Sequence, residues 1–201
     1  MTAADSSKKR TDLPVLGSES IMSKKKHGTS ATPVQANLRW ECDRKTADRI
    51  CNFNVRACLL PLITTCCSPL SLCSQRHYAE HSGYFQKTPF LKEAPKELHE
   101  SKAKEITFYD SNTGKPLFYA PRNRSWDEFV RESKAHGWPS FRDDEVNWDY
   151  VRCLKNGEAV SVDGTHLGHN LPDRRGNRYC INLVSVAGLP TSNEDAVRMS
   201  F

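Results

Sequence analysis

No run of eighteen or more apolar residues occurs anywhere in the 201-residue chain, so no segment is long enough to span a membrane as a helix. Apolar residues are scarce: 37% of the chain is hydrophobic and the mean hydropathy is −0.65, which excludes a core spread evenly over its length. Charge of one sign is also missing, with 29 basic against 24 acidic residues. Six of the basic residues (Lys8, Lys9, Arg10, Lys24, Lys25 and Lys26) precede Asn37, against Asp5, Asp12 and Glu19, so the body is close to balance. A balanced body speaks against a nucleic-acid-binding domain. Residues 1–30 lack the apolar stretch of a secretory signal, and their acidic residues speak against a mitochondrial transit peptide. No C-x-x-C pair is present, so no regular zinc motif can be read.

What is present is uneven. Of eight cysteines, Cys58, Cys66, Cys67 and Cys73 crowd into one segment, Cys42 and Cys51 lie just upstream, and Cys153 and Cys180 stand alone in the second half. Without a signal peptide this reads as free thiols in a reducing compartment, the cytoplasm first, with nucleus or plastid as alternatives. Residues 1–36 are Ser-, Thr- and Lys-rich and are expected to be a disordered basic tail. The pattern from Leu38 to Ile50 suits a short amphipathic helix. Val55–Gln75 carries no charge but Arg56, contains Pro61 and Pro69, and has neither helical nor strand periodicity. It reads as an insertion of the kind a retained intron would encode, so 37–76 is taken as a short helix plus an atypical Cys-rich piece. His77 and His81, four apart, lack an acidic or cysteine partner at metal spacing and are read as surface or core residues.

From 77 to 188 the pattern is one domain, mainly β. Glu105–Tyr109 alternates, Asp110–Gly114 is a turn signal, and Pro116–Tyr119 resumes as a strand, which predicts a hairpin. Ser125 with Glu128 forms a capping box that opens a helix through Lys134, ended by Gly137-Trp138-Pro139. Asn147–Leu154, Ala159–Val162 and Arg178–Val186 are strand-like, with Asn156-Gly157 as a hairpin turn. Residues 189–201 are expected to be a flexible tail.

The chemistry gathers in three clusters: Gly137-Trp138-Pro139-Ser140-Phe141, then His166-Leu167-Gly168-His169 with Asp173, then Arg178-Tyr179-Cys180-Ile181-Asn182. An attacking cysteine must be partly thiolate, which a nearby guanidinium favours. Arg178 and Cys180, two apart on a strand, project from the same face. Two histidines three apart in a Gly-containing turn can converge and supply acid–base function near neutral pH, with Asp173 orienting one of them. Trp138 offers a rigid apolar face for a small ligand. Each piece alone also has an ordinary structural explanation.

Taken together and in this order, GWPSF, HLGH and RYCIN resemble the B-type methionine sulfoxide reductases (peptide-methionine (R)-S-oxide reductases), strongly over 115–186, with a looser match through Gly114-Lys115-Pro116-Leu117-Phe118. The resemblance implies small antiparallel sheets of that family's β-tent-like kind with one or two flanking helices. It implies Cys180 as nucleophile, His166 and His169 at the sulfoxide oxygen with Asp173 assisting, and Arg178 stabilising the thiolate. Trp138, with Phe141 and Asn182, would bind substrate. The partners implied are methionine sulfoxide, free or in proteins, and an external thiol such as thioredoxin, for a monomer that binds neither nucleic acid nor membrane. Two departures stand out. Where zinc-holding members carry two C-x-x-C pairs, this chain has Asp110 and Thr113, then Val160 and Asp163, so no metal is expected. Where two-cysteine members place a resolving cysteine, this chain has His136, leaving Cys153 as a candidate resolving residue and direct reduction by an external thiol as the favoured cycle. The alternatives are a ligand- or protein-binding module on the same scaffold, and a cysteine that senses peroxide.

Overall fold

Seven short strands carry the architecture of this computed structural model, which describes residues 13–52 and 79–191. The Cys-rich segment Val55–Gln75 and His77 lie outside the described residues, as do 1–12 and 192–201. Strands β1 (Ile106–Tyr109) and β2 (Pro116–Ala120) form the expected antiparallel hairpin around the Asp110–Gly114 turn. The second sheet holds β3 (Ser140–Phe141), β4 (Val151–Cys153), β5 (Glu158–Ser161), β6 (His166–Asn170) and β7 (Tyr179–Ile181), in the antiparallel order β3-β7-β6-β5-β4. The fold is thus mainly β, with two small antiparallel sheets and flanking helices. No helix among the described residues is long and apolar enough to cross a membrane.

Among the described residues four short helices flank the sheets. Helix α1 (Arg44–Cys51) is shorter than the amphipathic pattern suggested, because Trp40 and Glu41 take positive φ and Asp43 then caps a fresh start through the Thr46 amide. Helices α2 (Tyr84–Lys87) and α3 (Phe90–Glu100) follow. Helix α4 (Trp126–His136) opens on the Ser125/Glu128 capping box and closes on Gly137 in the left-handed region. Phe85, Phe90, Phe108, Phe118, Phe129 and Phe141 are fully buried and pack between the two sheets and the helices.

Two expectations need correction. Residues 13–36, expected to be disordered, lie against the domain. The Gly17 amide donates to the Cys153 carbonyl at 2.8 Å, Thr29 Oγ1 donates to the Gly164 carbonyl at 2.7 Å, and Val34 joins the core. Their composition is polar because they are held by hydrogen bonds to distant strands more than by apolar burial. His166–His169, read as part of a turn, instead forms most of strand β6.

Candidate functional site

Cross-strand register assembles the site. Ser140 on β3 pairs with Cys180 on β7, Cys180 pairs with His169 on β6, and His169 pairs with Glu158 on β5. Directly opposed residues share a face with Cβ atoms about 5 Å apart, so these four side chains form one row across four strands. The adjacent row, Ile181, Gly168, Ala159 and Cys153, points the other way into the core.

His166 joins the row through a bulge. Three residues separate it from His169, and on a regular strand that odd spacing would place the imidazoles on opposite faces. Ala159 faces Gly168 and Val160 faces His166, so Leu167 is left unopposed and parity is restored. The two imidazole rings lie 5.7 Å apart. Gly168 is obligatory here, since a Cβ would fall 2.1 Å from the Cys180 carbonyl oxygen. His166 Nδ1 meets Glu158 Oε1 at 2.7 Å, in a pair that is mostly buried.

Cys180 is partly exposed rather than sunk in hydrocarbon. Arg178 Nη1 donates to Sγ at 2.6 Å, and Ser140 Oγ lies 3.8 Å away. Burial nevertheless pushes the Cys180 thiol up, outweighing the downward pull of Arg178 and Ser140. This runs against the expectation of a resting thiolate: the guanidinium is in place, but the low-dielectric surroundings favour the neutral thiol. Burial, reinforced by the neighbouring His166, lowers His169 to about 4, so this imidazole is neutral at pH 7.

Asp173 does not sit with the imidazoles. Its carboxylate accepts Arg142 at 2.7 and 3.0 Å and the Arg175 amide at 2.8 Å and forms an ion pair with Arg178 at 3.3 Å, and these partners, Arg142 first, hold it well below the usual carboxylate range. It orients the guanidinium beside the thiol, and Glu158 is the carboxylate that reaches a histidine. Trp138 is half-buried at the rim, its indole N–H donating to the Glu80 carbonyl at 3.3 Å. Phe141 is a correction: it is fully buried, pairs with Tyr179 on the core face and stacks on Phe118, so it cannot line a substrate site. Asn182 is also buried, with both ends of its amide engaged by the Glu80 amide and the Leu167 carbonyl, which makes it a brace. Cys153 faces the core on β4, three strands from β7, and burial pushes its thiol up to about 12. A bridge to Cys180 needs Cα atoms about 4.4–6.8 Å apart on facing side chains, which this placement denies.

Residues at the zinc-like positions do not fit a metal. Asp110 accepts Thr165 Oγ1 at 2.9 Å and the Asn112 amide at 2.8 Å, Asp163 is paired with Lys115, and Val160 is core. Among the described residues, Glu132, His136 and Asp173 are the group of potential ligands that converges, with donor atoms within 4.8 Å of one another. Arg142 already bridges both of those carboxylates, and Arg124 and Arg175 add to Glu132. These ion pairs account for the cluster without a cation.

No family model matches the chain, and no solved structure matches it. The residues themselves therefore carry the functional argument. Sequence reasoning missed Glu158, Ser140 and Glu80, whose roles depend on register and long-range pairing rather than on a local motif.

Proposed function

We propose that the chain reduces methionine-R-sulfoxide, free or in peptides, as a peptide-methionine (R)-S-oxide reductase. The single observation behind this reading is a partly exposed Cys180 whose sulfur is held by Arg178 at 2.6 Å and flanked across the ladder by the neutral His169. The Cys180 sulfur attacks the sulfoxide sulfur, the S–O oxygen passes to Cys180, and the thiol proton ends on that oxygen. The products are a Cys180 sulfenic acid and methionine, so cysteine is oxidised by two electrons as the sulfoxide is reduced. Two equivalents of external thiol then return the sulfenic acid to thiol, releasing water and a disulfide. Because the resting sulfur is a thiol, the proton is supplied by the nucleophile itself, and His169 and the Glu158-oriented His166 are the groups placed to relay it. Trp138 supplies the apolar wall for the methyl group.

The deciding experiment is a stereospecific assay on sulfoxide-bearing peptide with dithiothreitol and, separately, thioredoxin. Turnover of the R epimer alone, lost in Cys180→Ser, is expected. Equal turnover of both epimers, or activity that survives the substitution, removes the reading. The upward push on the Cys180 thiol favours a second reading, a binding module that holds a sulfoxide or thioether without reducing it. Saturable binding with no methionine released would select that one.

A further inference from the structure

Glu80 is 2% exposed, yet it is an acid. Burying a carboxyl group is costly unless its oxygens are met by donors. Here they are met by two consecutive backbone amides, Leu183 N at 2.8 Å and Val184 N at 3.2 Å. Those amides belong to the turn Leu183–Ser185, directly after the strand that bears Cys180. Burial still pushes the carboxyl up to about 8, opposed by the two amides, and Cys42, Cys51 and Tyr84 lie close enough to feel its charge.

The backbone of the same residue reaches both halves of the site. Its N–H donates to Asn182 Oδ1 at 3.0 Å, and its carbonyl accepts the Trp138 indole at 3.3 Å. Three residues on, the Gly83 amide donates to the Gly137 carbonyl at 2.8 Å, fastening the same strap to the turn that carries Trp138. Ser82 closes against that turn as well, since a Cβ on Gly137 would meet its Oγ at 2.0 Å. Among these contacts only the Glu80 carboxyl group ties the strap to the Cys180 side through a side chain of its own.

We infer that Glu80 is a positioning residue, whose carboxyl group anchors the 80–83 strap to the turn after β7 and thereby sets the separation of the Trp138 indole from the Cys180 sulfur. This holds whatever reaction the sulfur performs, so it goes beyond the sulfoxide reading. Glutamine at this position retains one acceptor oxygen but turns an NH2 donor toward a backbone N–H, which loosens the anchor without emptying the space.

The test uses the full chain. The indole N–H resonance of Trp138, assigned with Trp138→Phe among the four tryptophans, is followed in wild type and Glu80→Gln. The variant is expected to shift that resonance and speed its hydrogen exchange on the order of tenfold, leaving Trp40, Trp126 and Trp148 unchanged. For the R-sulfoxide, KM should rise about tenfold with kcat within about threefold, because Arg178 and the sulfur are untouched. A folded Glu80→Gln protein whose Trp138 exchange is unaltered overturns the inference. Should the variant fail to fold, exchange in the wild type decides. Trp138 Nε1–H, Leu183 N–H and Val184 N–H are then expected to open together. An indole that exchanges about a hundredfold faster than both amides defeats the proposal. A wild-type protein with no sulfoxide turnover removes the proposed function, while the indole exchange still reads Glu80.

Discussion

Two buried polar clusters lie in this small β domain, and they are built on opposite terms. At the hairpin tips, Asp110 takes Thr165 and the Asn112 amide, Asn112 Nδ2 donates to Asn52 Oδ1 at 2.8 Å, and Ser111 Oγ donates to the Val184 carbonyl at 2.6 Å. Donor meets acceptor throughout, and Asp110, Ser111 and Thr165 are sealed from solvent. In the Ser140–Cys180–His169–Glu158 row, by contrast, the central sulfur stays partly open, its thiol pushed up beside a guanidinium and its histidine held neutral. A sealed, satisfied network gives rigidity, whereas a partly open sulfur beside a guanidinium and a neutral imidazole is the arrangement of a reactive site. The comparison can be broken by substitutions that should damage one cluster and spare the other.

The largest effect is expected at Gly168, where the two requirements coincide. Alanine would place a Cβ 2.1 Å from the Cys180 carbonyl, and a backbone atom cannot swing aside as a flexible side chain can. Gly168→Ala should cost about 3 kcal/mol in urea unfolding, and it should abolish sulfoxide turnover by displacing β7 from β6. An unchanged unfolding midpoint would show that the strands are not in this register.

Next comes Glu158→Gln. The His166 ring loses its carboxylate partner while the row keeps its shape. Turnover is expected to fall about 10–100-fold with little change in KM, the pattern of a group that acts in the transition state. Steady-state kinetics check it, and a pure KM effect would assign Glu158 to binding. The mirror experiment is Asp110→Ala, which strips Thr165 and Asn112 of an acceptor in a sealed cluster. It should cost about 2 kcal/mol and leave kcat/KM unaltered. Loss of activity at full stability would mean that the two clusters communicate.

How much of this could be read from the chain depends on how local each feature is. The β1–β2 hairpin and helix α4 were legible because a turn signal and a capping box are written in consecutive residues. Cys180, Arg178, His169 and Trp138 were legible because each lies within a contiguous motif. Parity was not. Ser140 and Phe141 sit side by side on a two-residue strand, and nothing local says which faces the thiol; register sends Phe141 to the core. The bulge at Leu167 that turns His166 toward the row is likewise a property of two strands together. Glu158 and Glu80 act on partners whose selection required the sheet, and residues 13–36 looked structureless because hydrogen bonds to distant strands leave no mark on composition.

Acid should separate the clusters as well. His169 is held at about 4, below its ordinary value near 6.5, so the unfolded chain binds more protons between those limits. Its contribution to stability is full above about pH 6.5 and is lost as pH falls through about 4. Asp110, raised by burial, has the opposite slope, favouring the folded state on the acid side. The difference in urea midpoint between wild type and His169→Asn, measured at pH 7 and at pH 4.5, isolates the histidine. The variant should lose less stability on acidification than the wild type, and equal losses would place His169 in solvent.

The smallest effect should come from the Lys115–Asp163 ion pair, which joins the hairpin tips at the surface. Lys115 Nζ reaches Asp163 at 2.8 Å, with side chains 40% and 30% exposed. Solvent screens such a pair and the lysine loses rotamer freedom in making it, so Lys115→Ala should change stability by at most about 0.5 kcal/mol. Its weakness bears on how the tips are held. If the buried Asp110 network does the holding, the pair is dispensable and adding salt to 0.5 M leaves the unfolding midpoint of wild type and variant alike. A loss of about 2 kcal/mol in Lys115→Ala, reproduced by salt in the wild type, would move the clasp from the sealed interior to the exposed charges.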